Sequence, residues 1–206
     1  VNDRPGDAGR LVIATNNAAK LAELRRLLGW SRWRVTSLAE AGFDAPLDEP
    51  GPGYVENALA KATTVCAALD LPVLADDSGI EVDALRGWPG PFSARWLAGG
   101  DAERMRGLLA EVERRTPGDR RARYVCVIAL CRPGAEPVIA RGECLGSIVE
   151  PAGEGGFGYD PIFWSNDLDA RFGEASAAAK DAVSHRARAL VRLAESGALD
   201  GPDGPP

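Results

Sequence analysis

The sequence predicts an α/β domain with a mixed sheet. Three observations carry that expectation. Strand-like and helical stretches alternate through the first half of the chain. Two strand-like runs later in the chain are separated by only a few residues, as in a hairpin. No apolar run approaches the ~18 residues that a membrane span requires.

The elements follow in order. RLVIA, residues 10–14, reads as a short buried strand. The next segment places Leu21, Leu24, Leu27 and Leu28 at helical spacing, and Gly29 stops it. WRVTSL, 33–38, reads as a second strand, and 41–53 as a loop rich in Pro, Gly and acid. A second helix is expected from Tyr54 to Leu69, with Val55, Leu59, Ala62, Val65, Cys66 and Leu69 on its apolar side. The apolar run Leu71–Ala75 then reads as a strand that ends in Asp76 and Asp77, with a sharp turn at Ser78-Gly79. GWPGPFSARW, 87–96, is an irregular loop, and 101–115 a charged amphipathic helix. ARYVCVIALC, 122–131, is the strongest strand in the chain. Residues 137–150 form one long strand, or two joined at a bulge near Gly142. GEGGFGYDPIF, 153–163, is a glycine-rich loop, and the last helix spans Ala182–Ser196.

The bulk properties narrow the function. The chain has 206 residues, enough for one domain with a real core or two small lobes. Apolar content is 45% and charged content 26%, ordinary for a globular protein. A net charge of −6 argues against a chain built to coat nucleic acid, and no partner of that kind is expected. An anionic substrate would need local cations, a metal or backbone N–H groups. Cys66, Cys126, Cys131 and Cys144 show no C-x-x-C spacing and lie in apolar stretches. They read as reduced, mostly buried thiols of a cytoplasmic protein. Residues 1–9 are expected to be a disordered extension, 10–198 the domain, and 199–206 a flexible tail.

Four stretches have residues that could carry chemistry. ATNNAAK, 14–20, lies where a strand meets a helix start, and free N–H groups there favour a phosphate. Asn16 or Asn17 would cap the helix, and Lys20 would reach a phosphate oxygen; the plainer account is a cap beside an exposed lysine. The pair Asp76-Asp77 can hold Mg²⁺, a hard cation that prefers oxygen, or leave one Asp to take a proton from water. It can equally be a polar turn capped by Asp77 or Ser78. GGFGYD, 155–160, offers the flat faces of Phe157 and Tyr159 for base stacking, or packs them into the core. KDAVSHRARAL, 180–190, holds the only histidine, His185, followed by Arg186, a rigid donor fork suited to phosphate or a carbonyl oxygen. Ser184 would cap that helix. Read alone, this stretch is a solvated basic helix start, although positive side chains there oppose the helix dipole. No zinc-ligand spacing is present.

The order of these blocks is more specific than any one of them. TNNxxK before a helix, E-P-G, ENALAKA, ADDSG with PG-x-x-SARW, GGFGYDPIF and SHRARAL together resemble the inosine triphosphate pyrophosphatases, also called XTP/dITP diphosphatases. The resemblance spans about residues 10–197. It implies that family's fold, a central mixed sheet with flanking helices and two lobes around an active-site cleft. It implies Mg²⁺-dependent hydrolysis of deaminated purine nucleoside triphosphates (ITP, dITP, XTP) to the monophosphate and pyrophosphate, which keeps them out of DNA and RNA. Asp77 matches the catalytic and metal-binding carboxylate, and Glu49 the acidic residue that helps hold the metal. Thr15, Asn16, Asn17, Ala18, Ala19 and Lys20 match the phosphate-binding loop. A glycine often precedes the lysine in that family, where this chain has Ala19. Ser78 matches a nucleotide contact. Phe157, Gly158, Tyr159, Asp160, Lys180, His185 and Arg186 match the nucleotide and base pocket. Lys61 and Lys180 join Lys20 as candidate clamps on the triphosphate. A homodimer is implied, with the aromatics Trp88, Phe92 and Trp96 offering a contact or core. The sequence leaves open whether Asp76 or Asp77 activates water, and whether Asp48 or Glu49 holds the metal. It also leaves three rivals: a Maf-like pyrophosphatase, against which ATNNAAK argues; a sensor without turnover; and a phosphatase with Asp77 as covalent nucleophile.

Overall fold

The computed structural model describes residues 9–49, 51–115 and 118–200. The expected N-terminal extension, apart from Gly9, and tail residues 201–206 lie outside the described residues. Seven strands form one sheet in the order β2-β1-β3-β4-β5-β6-β7. β1 (Arg10–Ile13) runs parallel to β2 (Arg34–Ser37), with Arg10 opposite Arg34 and Ile13 opposite Ser37. It is also parallel to β3 (Val73–Val82), with Val12 opposite Val73. Parallel neighbours need a crossover, and the helical stretches expected from the leucine and alanine spacing supply it: α1 (Ala18–Leu27) and α3 (Tyr54–Leu69). β4 (Arg121–Cys131) and β5 (Val138–Ile148) are sheet neighbours joined by residues 132–137, as the hairpin spacing predicts. β6 (Phe163–Ser165) and β7 (Ala170–Arg171) complete an antiparallel edge. The mixed α/β sheet expected from the sequence is therefore present.

The chain forms two compact units, the first from Val1–Asp77, Val127–Arg141 and Ala189–Pro206, the second from Ser78–Cys126 and Gly142–Arg188. In the first unit, Leu11, Val12 and Ile13 of β1, Leu24 of α1 and Val73 and Leu74 of β3 are fully buried. Its chain is anchored as far as Leu199, which is buried and whose carbonyl accepts the Trp33 indole N–H at 2.9 Å. The second unit has a core of Ile80, Val82, Leu108, Val112, Tyr124, Cys144, Ile148, Ile162, Phe163 and Phe172. Trp88, Trp96 and Met105 pack against it. α4 (Asp101–Arg115) contributes Leu108 and Val112.

Several expectations need correction. β3 does not end at the acidic pair: it continues through Asp76, Asp77, Ser78 and Gly79 to Val82, because Ile80 and Val82 bury the same face beyond it. Gly79 marks no turn. A Cβ there would lie 2.0 Å from the Gly90 carbonyl oxygen, so the residue is glycine for close backbone approach. Of the two readings offered for 137–150, the single long strand is the one present: β5 is continuous through Gly142. The last helix is two, α5 (Ala177–Val183) and α6 (His185–Glu195), separated at Ser184, whose backbone is extended. A short α2 (Leu38–Ala41) follows β2, started by a capping box between Ser37 and Glu40. On α3 the buried stripe runs through Tyr54, Asn57, Ala58, Lys61, Ala62, Val65 and Cys66, while Val55 is exposed. All four cysteines are buried thiols outside any disulfide, as expected. Among the described residues, no helix is long and apolar enough to cross a membrane.

Candidate active site

The first unit gathers charge around the end of its stretch of β3. Asp76 and Asp77 are 1% and 3% exposed, and buried carboxylates at that level require partners. α3 supplies one: its register turns Lys61, a residue with a long basic side chain, into the buried stripe. The Lys61 ammonium lies 2.8 Å from Glu49 Oε1, donates to the Asp76 carbonyl at 2.8 Å, and lies 3.8 Å from Asp77 Oδ1. Lys20, in the first turn of α1, reaches Asp76 Oδ2 at 3.1 Å. Asn17 caps that helix, its Oδ1 accepting the N–H groups of Ala19 and Lys20 at 2.9 and 3.1 Å. Thr15 Oγ1 accepts the Asn17 N–H at 3.2 Å. Asn16, Asn17 and Ala18 are exposed. Thus Lys20 and the cap are brought to the acidic pair, and Glu49 rather than its neighbour Asp48 is the acid that meets Lys61.

Asn57 belongs to this cluster, and sequence reasoning passed over it. Its Nδ2 donates to Asp77 Oδ2 at 3.0 Å, and its Oδ1 accepts the Gly51 N–H at 2.9 Å. One fully buried amide thereby ties the Glu49 loop to the carboxylate. The signal was available: a polar residue one turn from Lys61, inside the buried stripe of an amphipathic helix. Burial pushes the Asp77 carboxyl above its ordinary 3.8; Lys61, the Asn57 hydrogen bond and Lys20 pull it back, and Glu49 adds to the rise. Of the five charged side chains named here, Lys20, Lys61, Glu49, Asp76 and Asp77, three are carboxylates and two are cations. Glu49 and Asp77 converge on a single ammonium, so their hard oxygens fit a further cation with the same preference. Among the described residues, no group of three His, Cys, Asp or Glu side chains forms a metal cluster.

The second unit gathers Ser78 and the residues of the glycine-rich loop, α5 and α6. Asp160, 1% exposed, organises them. Its Oδ2 accepts the Lys180 ammonium at 2.5 Å and the Phe157 N–H at 2.8 Å, and its Oδ1 accepts the Tyr124 hydroxyl at 3.2 Å. The Phe157 ring carries two cations, Lys180 at 4.6 Å and Arg186 at 5.3 Å from its centroid. Arg186 donates to Ser78 Oγ at 2.7 Å. His185 and Arg186 are each 2% exposed, so this is not the solvated helix start that the local sequence suggests. Ser184 caps α6 as expected, accepting the Ala187 N–H at 3.1 Å. Gly158 donates its N–H to Asp101 at 2.9 Å, a contact with α4 that the sequence did not signal. Tyr159 packs into the core: its hydroxyl accepts from the Trp96 indole at 2.8 Å and donates to the Ser93 carbonyl at 2.7 Å. Half-buried Phe157, rather than Tyr159, is the aromatic left partly open.

The α/β fold thus carries a lysine–carboxylate cluster in the first unit and an arginine–lysine–aromatic cluster in the second. Comparisons with known proteins give the family. The model of the Ham1 family matches residues 11–196, and the chain belongs to that family. It is 47% identical over 189 residues to a dITP/XTP pyrophosphatase of Symbiobacterium thermophilum, covering 90% of this chain and 93% of that one. A dITP/XTP pyrophosphatase of Nocardia farcinica is 47% identical over 191 residues, covering 89% and 92%. Among solved structures, the Ham1 protein of Staphylococcus aureus superposes with a TM-score of 0.80 at 36% identity, covering 91% of this chain and 97% of that one. The resemblance drawn from the ordered blocks is borne out.

Proposed function

We propose that this chain is a nucleoside-triphosphate pyrophosphatase that hydrolyses deaminated purine nucleotides (ITP, dITP and XTP) to the monophosphate and pyrophosphate. Membership of the Ham1 family and the names of its 47%-identical relatives support the activity. The observation that carries the mechanism is the Asp77 carboxyl, buried, raised above its ordinary range, and hydrogen-bonded to Asn57.

In this reading Asp77 orients and deprotonates water. A carboxyl raised above its ordinary range is a stronger base than an exposed aspartate. Asp76 is committed elsewhere, since its Oδ2 pairs with Lys20. Lys20 and Lys61 neutralise charge on the triphosphate, and the N–H groups at the start of α1 add to that field. Glu49 and Asp77 would hold Mg²⁺, which when bound offsets phosphate charge and orients the reacting groups. In the second unit, Phe157 stacks on the base while His185 and Arg186 donate to O6 of hypoxanthine or xanthine. Adenine presents an amino group there and would leave a buried donor unpaired, a cost of about 1–3 kcal/mol. Lys180 and Ser78 complete the nucleotide contacts. A homodimer in the cytoplasm, with no membrane or nucleic-acid partner, belongs to the same reading.

Product analysis with ITP and ATP, with and without Mg²⁺, tests it. IMP and pyrophosphate from ITP, formed far faster than AMP from ATP and only with Mg²⁺, is the expected result. Orthophosphate as the product would overturn the bond assignment.

A further inference from the structure

Tyr124 lies on β4, 7% exposed, within the apolar core of the second unit. A phenol in such a place costs stability unless its hydroxyl is bonded. Here the hydroxyl donates to Asp160 Oδ1 at 3.2 Å, on the oxygen opposite the one that takes Lys180 and the Phe157 N–H. Burial and the adjacent Asp160 carboxylate hold the phenol far above its ordinary range, so it remains a donor at any working pH. Its ring is parallel to the His185 imidazole, 4.6 Å between centroids and 8° between planes. Phe172 is also near-parallel to it, at 6.1 Å and 10°. Phe163 closes against the ring at 4.6 Å. One side chain therefore sets the plane of the imidazole and anchors the carboxylate that holds Lys180 and Phe157.

We infer that Tyr124 is a positioning residue for purine selectivity, fixing His185 through its ring and the Asp160–Lys180–Phe157 group through its hydroxyl. The inference rests on the proposed reaction, with these residues recognising the base. The two attachments separate by substitution. Tyr124→Phe keeps the ring and removes the hydroxyl. Tyr124→Leu removes both. A tilted or mobile imidazole donates poorly to O6, so the rate for ITP falls while that for ATP, which makes no such bond, stays near its wild-type value.

The test measures kcat and KM for ITP and ATP in wild type and both variants, with thermal melts beside them. His185 is the only histidine, so its two ring C–H protons give NMR signals that overlap with no other histidine. Tyr124→Phe loosens Asp160 and with it Phe157, whose ring carries the second O6 donor, Arg186, and is expected to lower the ITP-to-ATP ratio of kcat/KM about fivefold, as loss of one hydrogen bond does. Tyr124→Leu is expected to lower it about twentyfold, adding the loss of an aromatic pair. The KM for ITP rises in both variants. The ring-current shift of the His185 signal persists in Tyr124→Phe and is lost in Tyr124→Leu. Retention of the wild-type ratio within twofold by both variants would overturn the inference. So would an equal fall for ITP and ATP, which marks a structural role only. If Tyr124→Leu does not fold, Tyr124→Phe decides. A wild-type protein without preference for ITP overturns the functional reading itself, and the inference falls with it.

Discussion

The two clusters handle burial of charge in opposite ways. In the first unit, Glu49, Asp76 and Asp77 outnumber Lys20 and Lys61, and burial leaves the Asp77 carboxyl raised. Its side chains depend on one another, and Glu49 comes from a loop with its side chain 32% exposed. In the second unit, Asp160 has both oxygens engaged, and rings flank the cations. One cluster carries an excess of buried carboxylates, which in the proposed reading a charged ligand relieves; the other has its carboxylate oxygens engaged and its rings held in fixed planes. Catalytic groups commonly cost stability in this way, whereas a binding surface gains from rigidity.

The sharpest break of that contrast is Asp77→Asn. Loss of the proposed general base is expected to lower turnover of ITP by about a thousandfold, within the usual range for such groups. The melting temperature of the metal-free protein stays within a few degrees of wild type or rises, since a strained carboxylate has been removed. Residual kcat above a tenth of wild type would remove Asp77 from the mechanism.

Lys61→Met comes next. It strips the shared cation from Glu49 and Asp77 and is expected to destabilise by about 3 kcal/mol at pH 8, as broken buried pairs do. The pH dependence has a definite sign. The folded Asp77 carboxyl sits above 3.8, so the native state holds its proton more tightly than the unfolded chain. Stability from this group therefore falls as pH rises from 3.8 through the raised value. Removing Lys61 raises that value further, and urea melts should show a smaller loss at pH 5 than at pH 8. A larger loss at pH 5 would contradict the charge account.

Asn57→Ala leaves the Gly51 N–H and the Asp77 carboxylate without this amide, a cost of about 1–3 kcal/mol. With the Glu49 loop untied, kcat for ITP is expected to fall about tenfold, assayed at saturating substrate, as misplacement of a reacting group does. An unchanged kcat would make Asn57 structural only.

In the second unit, Gly107→Ala tests the saturated packing. Helix propensity alone would favour alanine by about 1 kcal/mol. The added Cβ would lie 2.7 Å from the Trp96 ring, whose indole is hydrogen-bonded to Tyr159. A net loss of about 1–2 kcal/mol is expected from overpacking, read by chemical denaturation. Net stabilisation would show that the packing there yields.

The smallest effect concerns the thiols. Burial pushes Cys131 up to about 11, with Cys66 adding to the rise. Its neutral thiol is a poor nucleophile at pH 8. A thiol reagent should label native protein far more slowly than unfolded protein, and rapid labelling would contradict the burial.

Much of the fold was legible because its signals are local. Leucines at helical spacing, an asparagine cap at Asn16 or Asn17, the Gly29 stop and the apolar run of β4 each report on a few neighbouring residues. β6 and β7 were missed because three- and two-residue strands have no periodicity to read. The misjudged end of β3 has a similar cause: two adjacent aspartates before Ser-Gly look like a turn locally, and only pairing within the sheet makes them strand. For the candidate site, Asp77, Lys61, Lys180, His185 and Arg186 were nameable from ordered motifs. Tyr124 and Asp101 were not, since each acts through a partner far along the chain; Asn57 carried a local signal, a polar residue one turn from Lys61, that was passed over.

The sequence by itself determined the α/β class, the order of the elements and which polar residues were worth asking about, because spacing, caps and motif order are properties of neighbours in the chain. The tertiary structure alone decided which carboxylate meets Lys61, that Tyr159 is core while Phe157 is partly open, and that Tyr124 lies flat against His185. Those outcomes depend on burial and on contacts between residues up to 66 positions apart, as for Tyr159 and Ser93. Desolvation, hydrogen-bond geometry and ring stacking act over a few ångströms in space, and no pattern of neighbouring residues encodes such distances.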